Sequence, residues 1–592
     1  MAASPMPTGN HERTSEDNAE MDKDFHDHVE QALPEDGVIE EQNTGKLTKE
    51  VFLAYVAICA QVDCYIMTIV IPSSMLTYIN NDLGPNPNSP WITISWQLGA
   101  AVFLSIGGRL SDIFGRRYFI MTGSIICTVG CLVGATAQSI GAMIVSGALF
   151  GIGAGFLELA YALVQEMIPN RYRLMAIGGL DISMAIAFTG PIVAFAIIAY
   201  YEIGWRGAYW YMFAFHVVSF LLVVFFYHPP DFRMKHESDG KGKWQLIKEL
   251  DYLGILLFTA GCTLVLLGIN FGGRTYPWTH HTPITLIVVG IFSLIALGFW
   301  SAYGGQRYPL MPPKLFRRIR EFVMVICVTF CTGMLYYSMN VLWPKQSQIF
   351  FINSDRPLER GVWSIFFNIG TILSGIVLVT VCHRLPHEKW QLLFFVAGMT
   401  AFISSMASIT VQTQARAIAT VIISGLMVSV AQCIPFTIIS LHLEDQADIG
   451  FAVSLTGTFK LLGGAVGTAV YTAILNTQFN AALPSRMISA IASSGTVLSN
   501  KLLSNLEAAA QVNTKAAYLA VDGVNASLAD AAMQATIQAY EVSFKTVYLC
   551  TIAFGCLALL AASLVKETDR AKWNNERAVI LKNELKDTKG QA

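Results

Sequence analysis

Fourteen stretches of about twenty mostly apolar residues recur along this chain of 592 residues. Each is long enough to cross a hydrocarbon core ~30 Å thick at ~1.5 Å per residue. They fall at roughly 50–72, 91–107, 118–138, 142–168, 175–200, 208–227, 252–271, 282–303, 322–343, 360–382, 390–411, 416–440, 449–475 and 545–566. A backbone in lipid must satisfy its polar groups within its own segment, so the spans are predicted to be helices. The composition agrees, with 54% hydrophobic and only 14% charged residues. The chain is therefore expected to be an all-α membrane protein, with the span 416–440 read as interrupted by Gln432 and Pro435.

A net charge of −2 conceals a strong asymmetry. Residues 1–46 hold twelve Asp/Glu against three Lys/Arg, which makes residues 1–47 an acidic head expected to be disordered. It lacks the basic-then-apolar order of a cleavable signal, so the first span is expected to direct insertion. Lys and Arg crowd alternate short loops: Arg109, Arg116 and Arg117; Arg171 and Arg173; Arg233 to Lys248; Arg307 to Arg320; and the tail from Lys566. The positive-inside rule then places both termini in the cytoplasm. The stretch 476–544 becomes a long outer loop carrying the sequon Asn525-Ala526-Ser527, with its Ala-rich part 505–540 able to form amphipathic helices over the outer mouth.

Several chemistries are not expected. No GxxxxGK[ST] phosphate loop and no HExxH helix occurs, and the eleven cysteines all lie in apolar segments, where they read as small packing residues. The GIGAG run at 151–155 follows no strand and is read as a site of close helix packing. No catalytic residue, metal, cofactor or nucleic-acid partner is predicted.

Ionisable groups inside the spans carry more information. A charge at the bilayer centre costs roughly 2.5–3.5 kcal/mol on insertion scales, so such groups face a cavity or a partner. Asp63 and Glu158 lie deep in the first and fourth spans and are the leading candidates for proton coupling, since desolvation lets a carboxyl exchange a proton near neutral pH. Pairing with a cation such as Lys460 is the structural alternative. Glu166 and Asp181 are weaker candidates, read as interfacial. Trp96, Gln97, Tyr161, Tyr336, Tyr337, Asn340, Trp343 and Lys460 offer surfaces for an organic substrate, although helix packing would also account for most of the aromatics.

The turn GRLSDIFGRR, residues 108–117, resembles the signature G-x-L-x-D-x-x-G-R-R/K of the major facilitator superfamily, with Gly108, Asp112, Gly115, Arg116 and Arg117 on the pattern. VDCYIMTIVIP (62–72) resembles the first-helix motif of fourteen-helix drug:proton antiporters, with Tyr65 in place of the usual Thr. TGPIV (189–193) keeps the Gly190-Pro191 core of the fifth-helix motif. The fourth-helix motif has Arg where this chain has Gly147, so the coupling route linked to that Arg has no counterpart here. INNDLGPNPNSPWITISWQLG, WRGAYW, GINFGGRTYPW and KLLGGAVGTAVY extend the resemblance to the fungal trichothecene-efflux-pump group, over about residues 48–566.

The resemblance implies a major facilitator fold of two six-helix bundles, 48–227 and 322–566, joined through 228–321, which holds an inserted helix pair. It further implies a multi-pass plasma-membrane transporter that exports a toxin, drug or secondary metabolite in exchange for protons, ending in a cytoplasmic tail, 567–592. Proton-coupled uptake of a ferric siderophore is the alternative, because siderophore transporters share the fourteen helices and the long loop. A non-transporting receptor on the same fold is a third reading.

Overall fold

The structure, a computed structural model, describes residues 48–569 and Asn574 except 85, 87, 230–247, 273–275, 307–308, 353–355, 444–448, 494–498 and 513. The acidic head, Arg233, Lys235, Lys241, Lys243, Arg274, Arg307 and most of the tail lie outside the described residues, as do the side chains of Asp112, Ile113, Ser493 and Val512.

Fourteen helices among the described residues are long and apolar enough to span a membrane. In chain order they are α1 (Lys49–Asp82), α2 (Trp91–Phe114), α3 (Arg116–Ala135), α4 (Ile140–Met167), α5 (Asn170–Tyr200), α6 (Arg206–Phe226) and α7 (Tyr252–Phe271). There follow α8 (His281–Tyr303), α9 (Ile319–Phe350), α10 (Pro357–Arg384), α11 (Glu388–Ser408), α12 (Gln414–His442), α13 (Ile449–Ser493) and α14 (Ala526–Leu564). Helices α1–α6 form one bundle, α9–α14 a second, and α7–α8 a pair inserted between them. We call the end of the bundle bearing Arg109, Arg116 and Arg173 the basic face and the opposite end the far face.

Small residues set the helix spacing. On α4, a Cβ at Gly147, Gly151 or Gly155 would meet the α2 backbone at Ile92, Trp96 and Ala100, while one at Gly153 would meet Cys127 and Gly123 of α3. The GIGAG run is thus a packing seam, as expected. It also explains Gly147: the Ile92 carbonyl already stands where a side chain would begin, so the arginine of the family motif has no room. Helices α9 and α13 meet in the same way, with Gly333 against Lys460, Gly463 against Phe330 and Gly467 against Met334.

Three elements differ from expectation. α12 runs unbroken through Gln432 and Pro435, because its neighbours bury that stretch and Pro435 removes only one hydrogen-bond donor. Much of the expected loop 476–544 is helix: α13 continues to Ser493 and α14 begins at Ala526, and the two pack beyond the membrane-length core through stacked Phe479 and Tyr540 rings, 4.1 Å apart. The rest includes a short helix Asn500–Val512. Finally, α5 is jointed, in pieces Arg173–Ser183, Ala185–Phe188 and Gly190–Tyr200.

The inserted pair is held at its basic end by Asp251. Its Oδ1 accepts from Gly254 N (2.7 Å) and Trp300 Nε1 (2.8 Å), and Oδ2 accepts from Leu310 N (3.2 Å). One carboxylate therefore ties the start of α7, the end of α8 and the linker to α9.

Candidate functional site

Between the basic and far faces the two bundles enclose a polar chamber. It is lined by Tyr65, Tyr161 and Asp181 from the first bundle and by Tyr336, Tyr337, Gln432 and Lys460 from the second, with Ile66, Met184, Thr371, Ser429, Cys433 and Phe436. The chamber is nearly closed, offering about 10 Å³ to the centre of a water molecule.

Its main feature is a buried ion pair between Lys460 of α13 and Glu158 of α4, with side chains 3% and 1% exposed. Glu158 sits where α4 is interrupted between Leu157 and Ala160. The Lys460 ammonium also faces the rings of Tyr161 (4.8 Å), Phe436 (5.4 Å) and Tyr65 (6.0 Å), so aromatic faces supply part of the stabilisation that water would give. Tyr161 and Phe436 stack at 5.1 Å, and the Tyr65 and Tyr337 hydroxyls share a hydrogen bond. Both contacts cross from one bundle to the other.

Asp181 makes a second crossing. Its Oδ2 accepts from Ser374 Oγ of α10 (3.0 Å) and Cys433 Sγ of α12 (3.3 Å). The interfacial reading of Asp181 is therefore corrected: it is buried and opens onto the chamber, because the helix before it begins as far down as Asn170. Asp63 stays within its own bundle, where Oδ1 accepts from Ala187 N (3.2 Å). That amide belongs to the middle piece of α5, just before Gly190-Pro191. Ala187 is the third residue of the piece that begins at Ala185, so its N–H is among the donors that a helix start leaves without a backbone acceptor, and the Asp63 carboxylate supplies one.

Glu166 is buried near the basic end of α4, where Arg116 Nη2 donates to its Oε1 at 2.8 Å. This joins Glu166 to the glycine–arginine turn. Gly115 takes φ +99°, a conformation side chains rarely adopt, to swing α2 into α3. A Cβ at Gly108 would meet Ser454 of α13 at 2.6 Å, and Arg109 lies 4.7 Å over the Phe451 ring. Arg117 Nη2 donates to Val224 O (2.7 Å), and Arg173 donates to Ser440 O of α12 (3.3 Å). The turn thus braces the bundles on the basic face. On the far face, a Cβ at Gly361 of α10 would stand 3.1 Å from Pro191 O and Ile192 Cα, and Arg360 lies over Tyr78 at 5.3 Å. Gly190 packs against Ile71. Contacts on both faces close the chamber.

The other sequence candidates sit around this centre. Trp96 backs Tyr65 (5.9 Å) and Tyr337 (6.2 Å) and donates to Thr68 Oγ1 (2.8 Å), away from the chamber wall. Gln97 donates to Thr468 Oγ1 across the bundles (3.0 Å). Asn340 donates to Tyr336 O, and Trp343 to Trp363 O, so both are engaged in packing. Asn525 is exposed and caps α14, accepting from Leu528 N (2.9 Å). Gln432, Cys433 and Phe436 were not foreseen as lining residues; Gln432 and Pro435 interrupting an apolar run were the available signal. No cluster of metal-ligating side chains occurs among the described residues.

A family model described as the fungal trichothecene efflux pump (TRI12) matches residues 31–582. A trichothecene efflux pump of Fusarium sporotrichioides is 27% identical over 506 residues, covering 84% of this chain and 83% of the relative. The MFS-type transporter prx5 of Penicillium rubens is 28% identical over 461 residues, covering 77% and 82%. Among solved structures, the proton:xylose symporter XylE superposes with a TM-score of 0.54 at 14% identity, covering 88% of this chain and 99% of that one, a likeness of fold.

Proposed function

The chain belongs to the fungal trichothecene efflux pump family of major facilitator transporters, and on that premise we propose that it exports an uncharged, oxygen-rich amphipathic metabolite in exchange for protons. The observation that carries this reading is the Lys460–Glu158 pair in its aromatic box, buried between the bundles. The chamber presents four tyrosines, Thr371, Ser429 and Gln432, a lining rich in hydrogen-bonding groups and ring faces. The Lys460 charge is already answered by Glu158, so the lining offers hydroxyl and amide groups that suit carbonyl, epoxide and hydroxyl oxygens of an uncharged cargo.

Coupling follows from which contacts cross the bundles. Glu158 and Asp181 each bind a group of the opposite bundle, so protonating either weakens an inter-bundle tie. Asp63 holds the joint of α5, the helix that meets α10 on both sides of Asp181, and a protonated Asp63 accepts more weakly from Ala187 N. Proton entry from the far face would thus loosen the closed state and let the basic face open to receive cargo from the cytoplasm or inner leaflet. Cargo and protons then alternate at one centre.

The test is flux in sealed vesicles of both orientations under an imposed pH gradient, with a panel of trichothecenes, cationic dyes and a ferric siderophore. Proton-driven export of the neutral toxins is expected, with at least a tenfold loss in Glu158→Gln and Asp181→Asn proteins that remain folded. Entry of the iron chelate alone would overturn export. Unchanged proton-coupled flux in Asp63→Asn would remove Asp63 from the coupling.

A further inference from the structure

A larger cavity lies away from the central chamber. A cleft of about 770 Å³ opens between the inserted pair and the second bundle, lined by Phe258 and Leu266 of α7, Leu294 of α8, Phe330 of α9, Leu462 and Val466 of α13, and ending at Arg317. Its existence follows from how the pair is held. α7 and α8 pack tightly on each other at Gly261, Gly268 and Gly290, the Asp251 clamp fixes their basic end, and Phe271 leans on Trp91 of α2 (5.8 Å) at the far end. Between these anchors α7 touches α13, and the cleft opens beside that contact. Behind the cleft, the α9–α13 seam at Gly333, Gly463 and Gly467 separates it from the chamber.

Its depth and charge both point to a lipid. Leu266 lies about 21 Å along α7 from Tyr252, comparable with the ~15 Å hydrocarbon depth of one leaflet plus its interface. The cleft therefore runs from the basic face to beyond the middle of α7, far enough to take one acyl chain. At its mouth the exposed Arg317 side chain and Lys314, one turn earlier, have no ion-pair or hydrogen-bond partner among the described residues. Their neighbours in the same run are engaged: Arg318 with Glu321 (3.5 Å), and Arg320 with Leu564 O (3.1 Å). Basic pockets between membrane helices are suited to anionic headgroups.

We propose that this cleft binds one anionic phospholipid, with an acyl chain between α7–α8 and α9–α13 and its phosphate at Arg317 and Lys314. The bound lipid fills the space between pair and bundle, making the inserted pair a rigid flank of the second bundle. The proposal is independent of the cargo and of proton coupling.

Gly298 supplies the test, because nothing lies within 4 Å of a Cβ built there and its residue lines the cleft. Full-length protein is reconstituted in nanodiscs of equal phosphatidylserine and phosphatidylcholine with identical chains, released, and weighed by native mass spectrometry. Wild-type protein is expected to retain one phosphatidylserine in preference to phosphatidylcholine. Arg317→Ala and Lys314→Ala each lower that preference about fivefold, Gly298→Ala keeps it, and Gly298→Trp removes the retained lipid of either kind. Equal retention of the two lipids by wild-type protein, or a wild-type level of lipid in Gly298→Trp, would overturn the site. Displacement of the lipid by a trichothecene would overturn it too, by making the cleft a cargo site. Circular dichroism and size-exclusion chromatography of Gly298→Ala and Gly298→Trp show whether each variant is folded.

Discussion

Replacing Lys460 with methionine removes one half of a buried ion pair and strands the other half, Glu158, in a closed chamber. The two side chains are 3% and 1% exposed, so water cannot take over the lost role. Breaking such a pair from one side costs about 3–5 kcal/mol. Three ring faces lie within 4.8–6.0 Å of the ammonium nitrogen, and none of them carries a charge to replace it. For a cooperative unit about the size of one bundle, that loss lowers the melting temperature by about 6–20 °C. Glu158→Gln alone is expected to be harmful for the converse reason, since it leaves a buried cation. The double variant Lys460→Met/Glu158→Gln removes both charges and keeps both volumes, so it should recover most of the loss. The assay is thermal unfolding of purified protein in one detergent, with size-exclusion chromatography as the check on folding, for wild type, both singles and the double. If Lys460→Met melts with wild type, or the double falls by the sum of the singles, the pair is not the mutual partnership described here.

Three further outcomes follow from single positions. Gly115→Ala should cost about 1–3 kcal/mol through backbone strain alone, because its φ is +99° and nothing lies within 4 Å of the added carbon; a melting temperature equal to wild type would contradict this. Asp251→Ala strands the donors of Gly254, Trp300 and Leu310, at about 1–3 kcal/mol for each buried group left unpaired; trypsin should cut the linker around Lys314 faster, and an unchanged cleavage rate would count against the clamp. Asn525 Nδ2 is on an exposed cap, so the chain expressed in a fungal host should lose the mass of one glycan on endoglycosidase treatment and in Asn525→Gln; a shift in neither would place the sequon on the wrong side or leave it unused.

Depth was legible in the sequence, whereas direction was not. Counting residues along a span places Asp63 and Glu158 far from the helix ends, and the structure buries both. The same count could not say which way Asp181 points, because a helix apolar on every side has no stripe to mark its inner face. Glu166 read as an end-of-helix charge, and its partner Arg116 lies on another helix, joined only by the fold. The glycines were legible as packing residues, but the reason for Gly147 is a carbonyl of Ile92 that no local pattern announces. The helical character of 505–540 is legible in its Ala-rich pattern, whereas 476–493 is polar enough to read as loop, and only the Phe479–Tyr540 stack shows that it extends α13 as the partner of α14.

The 45-residue helix α13 touches every part of the transport path. It meets the brace at Gly450, Phe451 and Ser454, carries Lys460, and stacks Phe479 on α14 at the far end. Near its middle it is seated at Gly463, against the α9 backbone at Phe330. A stiff rod seated there is a lever with arms of about 20 Å to Gly450 and about 24 Å to Phe479. A tilt about that point moves Gly450 and Phe479 in opposite directions by nearly equal distances, so a displacement at the Arg116–Glu166 brace is felt at the α14 stack, by the arithmetic of a lever with its fulcrum near the middle.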